Sequence, residues 1–423
     1  MRRTDFAVLI VLLLMPRAAA AQGDPLGPEF RVNTFTTGDQ AYPSIAAASS
    51  SGNFVVVWNG GAAQDGYIYG VFGQRYASSG DPLGPEFRVN TYVTGSQSRP
   101  SVAADTSGNF VVVWRSLGQD GYIYGVFGQR FAASGAPLGP EFRVNTYTTS
   151  YQRDPAVASD SAGNFVVVWE NYIGGYFGYD IAAQRFASSG VPLGPEFRIN
   201  TYTTGFDLNP AVASDSSGNF VVIWNNIGED GSEYGVFGQR FASSGAPLGS
   251  EFRVNTYTTS RQTYFSVAAD PPGNFIVAWQ SLGQDGSFFG VFGQRFATSG
   301  APLGPEFRIN TYTTFEQGAP SVAVDSAGNF VVVWFNIGYD APSVGIFGQR
   351  FASSGSPLGP EFRVNTYTTD SPGYFLPDVA ADSSGSFVVV WHRGDPQDGS
   401  GHGVFGQRYS QMVPVELMHF GIE

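Results

Sequence analysis

The chain has no cysteine and, among its 22 basic residues, no lysine, so every cation is an arginine. Without cysteine there is no disulfide and no thiolate nucleophile or ligand, and stability must come from packing. Only three histidines occur, His392, His402 and His419, all near the C-terminus, too few and too clustered in sequence for a His-rich metal site. Charged residues make up only 13%, and the formal net charge is -13. Such a surface argues against nucleic acid and anionic lipid as partners, because phosphate binding needs clustered positive charge. No apolar run is long enough to span a bilayer, so no membrane insertion is expected. The single apolar stretch, Phe6–Met15, follows Arg2 and Arg3 and precedes the small residues Ala18–Ala21. That pattern predicts a signal peptide over 1–21 and an exported, extracellular protein.

What is present is repetition. The words Gly108-Asn-Phe-Val-Val-Val-Trp114 recur with small changes from Gly52, Gly163, Gly218, Gly273, Gly328 and Gly385, and each of the seven tryptophans closes one copy. A second phrase, Pro25-Leu-Gly-Pro-Glu-Phe-Arg-Val-Asn-Thr34, returns from Pro82, Pro137, Pro192, Pro247, Pro302 and Pro357, a period of about 55 residues. Each unit holds four strand-like runs separated by turn residues, in one copy Pro100–Asp105, Asn109–Trp114, Gly125–Phe131 and Glu141–Tyr147. The second run is apolar on both faces, as in a strand covered on both sides. The first carries small residues (Ser101, Ala103, Ala104), and the fourth alternates, with Phe142 and Val144 opposite Glu141, Arg143 and Asn145. Four antiparallel strands per repeat with the smallest residues innermost predict an all-β, seven-bladed β-propeller over 22–411, followed by a C-terminal tail, 412–423. The last repeat lacks a fourth run and the chain begins with one, so the N-terminal strand is expected to complete the last blade.

The run Phe110-Val-Val-Val-Trp-Arg-Ser-Leu-Gly-Gln-Asp-Gly, followed by Gly125-Val-Phe-Gly-Gln-Arg-Phe131, resembles a tandem repeat of secreted bacterial proteins of the haemolysin-type and adhesin-like surface class. The resemblance covers nearly all of Asp24–Tyr409 and implies a propeller blade, an extracellular location and an interaction role, without catalytic residues. It also brings in calcium, although the nonapeptide calcium repeats that often accompany this family are absent. The expectation is therefore no cofactor, with calcium as the one alternative.

Copies differ from one another in two places. The segments before the first runs read Gly38-Asp-Gln-Ala-Tyr42, Gly95-Ser-Gln-Ser-Arg99, Ser150-Tyr-Gln-Arg-Asp154, Gly205-Phe-Asp-Leu-Asn209 and Ser260-Arg-Gln-Thr-Tyr264. The hairpins after each tryptophan differ too, whereas the other two connections are almost invariant. In a propeller the two variable connections share a face, which is the expected functional one. The residues singled out there are Tyr67, Tyr69 and Asp65; Tyr122, Tyr124 and Asp120; Tyr176 and Phe177; Tyr234 and Asp230; and Phe288, Phe289 and Asp285. Aromatic rings beside carboxylates suit sugar recognition, while the competing interpretation makes the aspartates hairpin-turn residues. The Asp that follows each first run, such as Asp105, is expected to cap its own turn. Arg in the third run is expected to pair with Glu of the neighbouring fourth. Units around Trp169, Trp334 and Trp391 break the pattern and are the places for a single asymmetric site.

No nucleophile, base and orienting group stand in a recognisable pattern. The expectation is a non-enzymatic, monomeric binding module that recognises a surface glycan or protein. A purely structural or adhesive scaffold and a carboxylate-dependent glycosidase-like enzyme are the alternatives.

Overall fold

The computed structural model describes residues 24–174, 178–203, 205–340, 343–366, 376–394 and 401–411. The predicted signal peptide and the C-terminal tail lie outside the described residues, as do Tyr176 and Phe177. The described chain is all-β apart from one four-residue helical turn, Ala62–Asp65. Its strands form five four-stranded sheets and one eight-stranded sheet. The eight-stranded sheet is two antiparallel sets joined by a short parallel pairing, Gly178 to Gly205 and Tyr179 to Phe206. No helix among the described residues is long and apolar enough to cross a membrane.

In the Trp114 unit the strands are Gln97–Ala104, Phe110–Leu117, Tyr124–Phe131 and Phe142–Arg143. The second strand is the wall. Val112, Val113 and Trp114 are fully buried, and the same holds within 1% for all seven tryptophans. Burying one such side chain stabilises the fold by ~1.5–3 kcal/mol relative to leaving it exposed. Phe110 stacks on Phe131 at 4.9 Å, and Phe87 of the preceding unit tilts onto Phe131 at 5.5 Å. The repeated aromatics therefore tie units together as well as filling them.

Two local expectations need correction. The fourth strand has two residues rather than the run Glu141–Tyr147. Asn145, placed on the open face by alternation, is 1% exposed. Its Oδ1 accepts the Val126 N–H at 2.7 Å and its Nδ2 donates to the Tyr147 carbonyl at 2.8 Å, so a side chain takes over the ladder. The expected Arg–Glu pairs do not form in this unit. Arg130 donates to the carbonyls of Ser188 and Leu138, both at 2.6 Å. Glu141 accepts from the backbone and hydroxyl of Thr91, at 2.6 and 3.0 Å.

First strands of successive units pack on one another in chain order, and the strand Asp378–Ala381 packs back on Gln40–Ala47. At that seam Phe30 pairs with Gly406 and Arg31 with Phe405, antiparallel, as expected for the N-terminal strand. Phe30 also tilts onto Tyr76 at 5.5 Å, and the Tyr76 hydroxyl donates to the Val32 carbonyl at 3.0 Å.

Candidate functional site

Each of six first strands contains a bulge, where its register against the second strand slips. At the slip sits a residue with positive φ that is not glycine: Tyr42, Arg99, Asp154, Asn209, Tyr264 and Ala319, with φ from 44° to 57°. This conformation costs an L-residue ~1–2 kcal/mol, and a bulky side chain there is a genuine outlier. Five of the six precede a proline, which has no N–H to give to the ladder and is tolerated at a bulge. The same strained position thus carries six settings of a nearly invariant strand with chemically different side chains.

The neighbouring unit holds several of these residues in place, using the side chain that follows its tryptophan. Asn59 Oδ1 accepts the Arg99 N–H at 3.0 Å, Glu170 Oε1 the Asn209 N–H at 2.7 Å, and Gln280 Oε1 the Ala319 N–H at 3.0 Å. Arg115, in the corresponding place, instead reaches the side chain of Asp154: Nη1 to Oδ1 is 3.1 Å. His392, after the last tryptophan, packs its ring against Tyr42 at 5.4 Å across the seam.

These contacts form one connected polar cluster. The Arg99 guanidinium lies 4.0 Å over the Tyr42 ring and 4.0 Å from Asp154 Oδ1. Arg153 Nε is 3.7 Å from Asp154 Oδ2 and 2.8 Å from Glu170 Oε2, so one guanidinium nitrogen lies against two carboxylates. Arg115 and Arg153 each sit over a tyrosine ring, Tyr124 at 5.1 Å and Tyr179 at 5.0 Å. Beyond His392, His402 Nδ1 meets Asp39 Oδ1 at 2.9 Å.

Burial grades the cluster. Asp154 and Arg99 keep 26% and 44% of their side-chain exposure, whereas Glu170 keeps 2%. Burial, with the nearby Asp154 charge, raises the Glu170 carboxyl above its ordinary range even though Arg153 and the Asn209 N–H favour its charge. For Arg153, burial disfavours the cation, but the Glu170 hydrogen bond and charge outweigh it and the net shift is upward. Burial, then repulsion from His402 and Arg99, pulls His392 down to about 4, so it is neutral at pH 7. The site thus holds a proton-favouring buried acid, a more exposed carboxylate and a neutral imidazole.

The residues singled out from sequence are placed less centrally. Tyr67, Tyr122 and Phe288 are exposed at hairpin tips. Tyr69, Tyr124, Tyr234 and Phe289 begin third strands and are half-buried. Of these, Tyr124 joins the cluster, through Arg115. Asp120, Asp230 and Asp285 each accept the N–H two residues on, at 3.2, 3.0 and 3.2 Å, which makes them turn residues. Asp65 is buried against Arg88 at 3.1 Å. Sequence reasoning missed Arg115 and Glu170, reached His392 only as part of a unit that breaks the pattern, and stopped short of Tyr42, Arg99 and Asp154. The last three close the variable segments, and the available signal was a differing residue ahead of a repeated proline.

The opposite side is built differently. A pocket of about 250 Å³ is lined by the first turn of every repeat, including Ser49, Thr106, Ser161, Ser216, Pro271, Ser326 and Ser383. Thr106 donates to the Ser161 carbonyl at 2.9 Å, Ser161 to Ser216 at 2.8 Å, Ser216 to Pro271 at 2.8 Å and Ser326 to Ser383 at 2.7 Å. Ser383 donates to Ser49 at 2.6 Å, carrying the relay across the seam. Asp105 caps its own turn, as expected, accepting from Ser107 N at 2.8 Å and Asn109 N at 2.9 Å. Among the described residues no group of three His, Asp or Glu side chains is placed to hold a metal ion.

No protein-family model matches the chain, and no curated protein sequence matches it. Solved structures do. A protein of unknown function from Dyadobacter fermentans aligns with TM-score 0.54 at 10% identity, over 92% of this chain and all of that one. The polysaccharide lyase Uly1 aligns with TM-score 0.51 at 10% identity, over 89% and 90%. An α-L-arabinanase from Penicillium chrysogenum, complexed with arabinobiose, aligns with TM-score 0.50 at 12% identity, over 75% and 93%. At these identities the likeness is one of fold. It nonetheless overturns the expectation that this architecture implies a non-enzymatic binding module, because two of these neighbours are named as an arabinanase and a polysaccharide lyase. The sequence argument found no catalytic set because the groups are brought together by packing: Tyr42 and His392 meet only across the seam, and Asp154 and Glu170, on neighbouring strands of one unit, are joined through Arg153.

Proposed function

We propose that the protein is an exported glycan-processing enzyme, a seven-bladed propeller whose active centre is the cluster around Asp154 on the variable face. The seven-bladed form is supported by the return of the strand Asp378–Ala381 onto Gln40–Ala47 and by the hydroxyl relay that continues from Ser383 to Ser49. Export is supported by the basic and apolar N-terminal pattern alone.

The observation that carries the function is the pair of unlike carboxyls on one guanidinium, Asp154 and Glu170 on Arg153. Glycosidic hydrolysis needs one carboxyl that bears a proton for the departing oxygen and one that is ionised, to activate water or bond the anomeric carbon. Glu170, whose proton burial favours, fits the first role, and Asp154, more exposed beside Arg115, fits the second.

A second reaction of the same class is favoured by Tyr42, held between the Arg99 guanidinium and the neutral His392 ring. A base beside a cation suits proton abstraction next to a sugar carboxylate, with elimination of the glycosidic oxygen. Incubating the mature protein with a panel of neutral and acidic polysaccharides separates the two. Hydrolysis yields new saturated reducing ends, and elimination yields an unsaturated, ultraviolet-absorbing product. Neither product from any member of the panel would overturn the proposal.

A further inference from the structure

Resting on the proposed site, we infer that its ligand is an anionic saccharide, whose carboxylate or sulfate group is received by Arg99 and Arg153 at the mouth of the variable face.

The arginines make this argument by their distribution. Two arginines recur in every repeat. One, as in Arg75 and Arg130, is committed to backbone carbonyls. The other follows the outer-strand phenylalanine, as in Arg31 and Arg143. Outside these positions and the N-terminal leader, the arginines are Arg99, Arg115, Arg153, Arg261 and Arg393. Three of them converge on Asp154, and Arg393 adjoins His392, leaving only Arg261 in an exposed pair with Glu233. A chain with net charge -13 and no lysine has thus gathered three of its five non-repeated cations outside the leader at one carboxylate.

The three guanidiniums are differently engaged. Arg115, the least exposed, spends Nη1 on Asp154 and Nε on Ser98 Oγ at 3.0 Å, and so positions the others. Arg153 gives Nε to Glu170 and keeps a third of its side chain exposed. Among the described residues Arg99 has no closer ionic partner than Asp154 at 4.0 Å; it is nearly half exposed and sits 4.0 Å over the Tyr42 ring. A guanidinium stacked on an aromatic face is pre-oriented and leaves its edge donors available for bidentate capture of a planar carboxylate or a sulfate. Three arginines face two carboxyls here, so the mouth carries an excess of cations within an acidic molecule. That contrast selects a ligand with isolated anionic groups over a densely charged polymer.

The test is calorimetric titration of the mature chain with four probes: oligogalacturonate, its methyl ester, a sulfated galactan oligomer and a neutral arabino-oligosaccharide. The expected result is at least tenfold tighter binding of oligogalacturonate or of the sulfated oligomer than of both neutral probes, weakened by added salt. Arg99→Gln is expected to remove that tenfold preference while leaving the melting temperature unchanged, since Asn59 holds only the Arg99 backbone. Preference for the carboxylate or the sulfate probe identifies the group. Equal binding of charged and neutral probes, an Arg99→Gln protein with the preference intact, or equally tight binding of a DNA oligomer would overturn the inference. Cleavage of a neutral glycan without anion preference would sink this inference and leave the proposed function standing; anion-selective binding with no cleavage of any glycan would do the reverse.

Discussion

Glu170 Oε1 accepts the backbone N–H of Asn209 at 2.7 Å, while its Oε2 takes Arg153 Nε at 2.8 Å, so one buried carboxyl joins two units of the repeat. In the Trp279 unit the equivalent position is Gln280, which makes the same backbone contact to Ala319 at 3.0 Å. A glutamine therefore suffices to hold the strained strand, and the acid in the Trp169 unit is there for its charge or its proton.

The first prediction comes from that comparison. Glu170→Gln should still fold, because the backbone acceptor is kept, with a modestly lower melting temperature because the amide NH2 cannot accept from Arg153 Nε. It should lower glycan turnover by ~10²–10⁴-fold, the usual loss of a general acid. The pH–rate profile should also lose its alkaline limb, because the raised Glu170 carboxyl sets where the proton is lost. Steady-state rates across pH, with melting curves, check both parts.

A second prediction concerns pH and stability. Asp207 replaces the glutamine found at Gln40, Gln97, Gln152, Gln262 and Gln317, and is fully buried. Burial pushes its carboxyl up to about 7, the Asn226 hydrogen bond opposes this, and Asp180 and Glu251 add to it. Glu229, which faces Glu251, is likewise raised to about 8, first by burial and then by that neighbour. Folded pKa values above the unfolded ones mean that stability is full at acidic pH and lost as pH rises through about 7 to 8. The melting temperature should fall between mildly acidic and mildly alkaline buffer, and Asp207→Gln should flatten that slope. A profile rising over the same interval would contradict this.

The seam supplies a third. Val32 and Asn33 are 1% exposed, and Asn33 Oδ1 accepts the Val404 N–H at 2.7 Å. Removing Gln22–Phe35 exposes the edge His402–Tyr409 and the Tyr76 ring. The truncated chain should melt far below the full mature chain and aggregate through the uncovered strand. Equal melting would show that the N-terminal strand closes nothing of consequence.

A fourth prediction separates scaffold from site. Trp114→Ala, at a fully buried position, should cost ~3–5 kcal/mol of stability. Tyr122→Ala, at a half-exposed hairpin tip, should leave the melting temperature in place. If the tip contacts glycan it should raise KM with little effect on kcat, which initial-rate measurements on the two variants resolve.

The fold was legible because the repeat states it seven times: Gly108–Trp114 reads as a doubly covered strand in any copy, and the missing last outer strand pointed to Phe30–Arg31. The site was legible only as a region. Tyr42, Arg99 and Asp154 stood at the ends of the variable segments, but a period-two pattern carries no sign of the bulge that gives them positive φ. Arg115 and Glu170 read as ordinary ends of a core strand until the next unit is laid against them. The aromatic and acidic hairpins drew attention instead, and Asp120, Asp230 and Asp285 proved to be shaping their own turns. Local chemistry explains those residues, whereas the cluster is a product of tertiary packing.

The central claim, that Asp154 is the carboxylate at which a glycan is cut, is tested by Asp154→Asn. Asparagine tolerates the positive φ and keeps an acceptor for Arg115. On whichever polysaccharide the mature protein degrades fastest, the account predicts product release reduced ~10²-fold or more, with oligosaccharide binding and melting temperature retained. Asp154→Asn protein that releases product at the parent rate would contradict it.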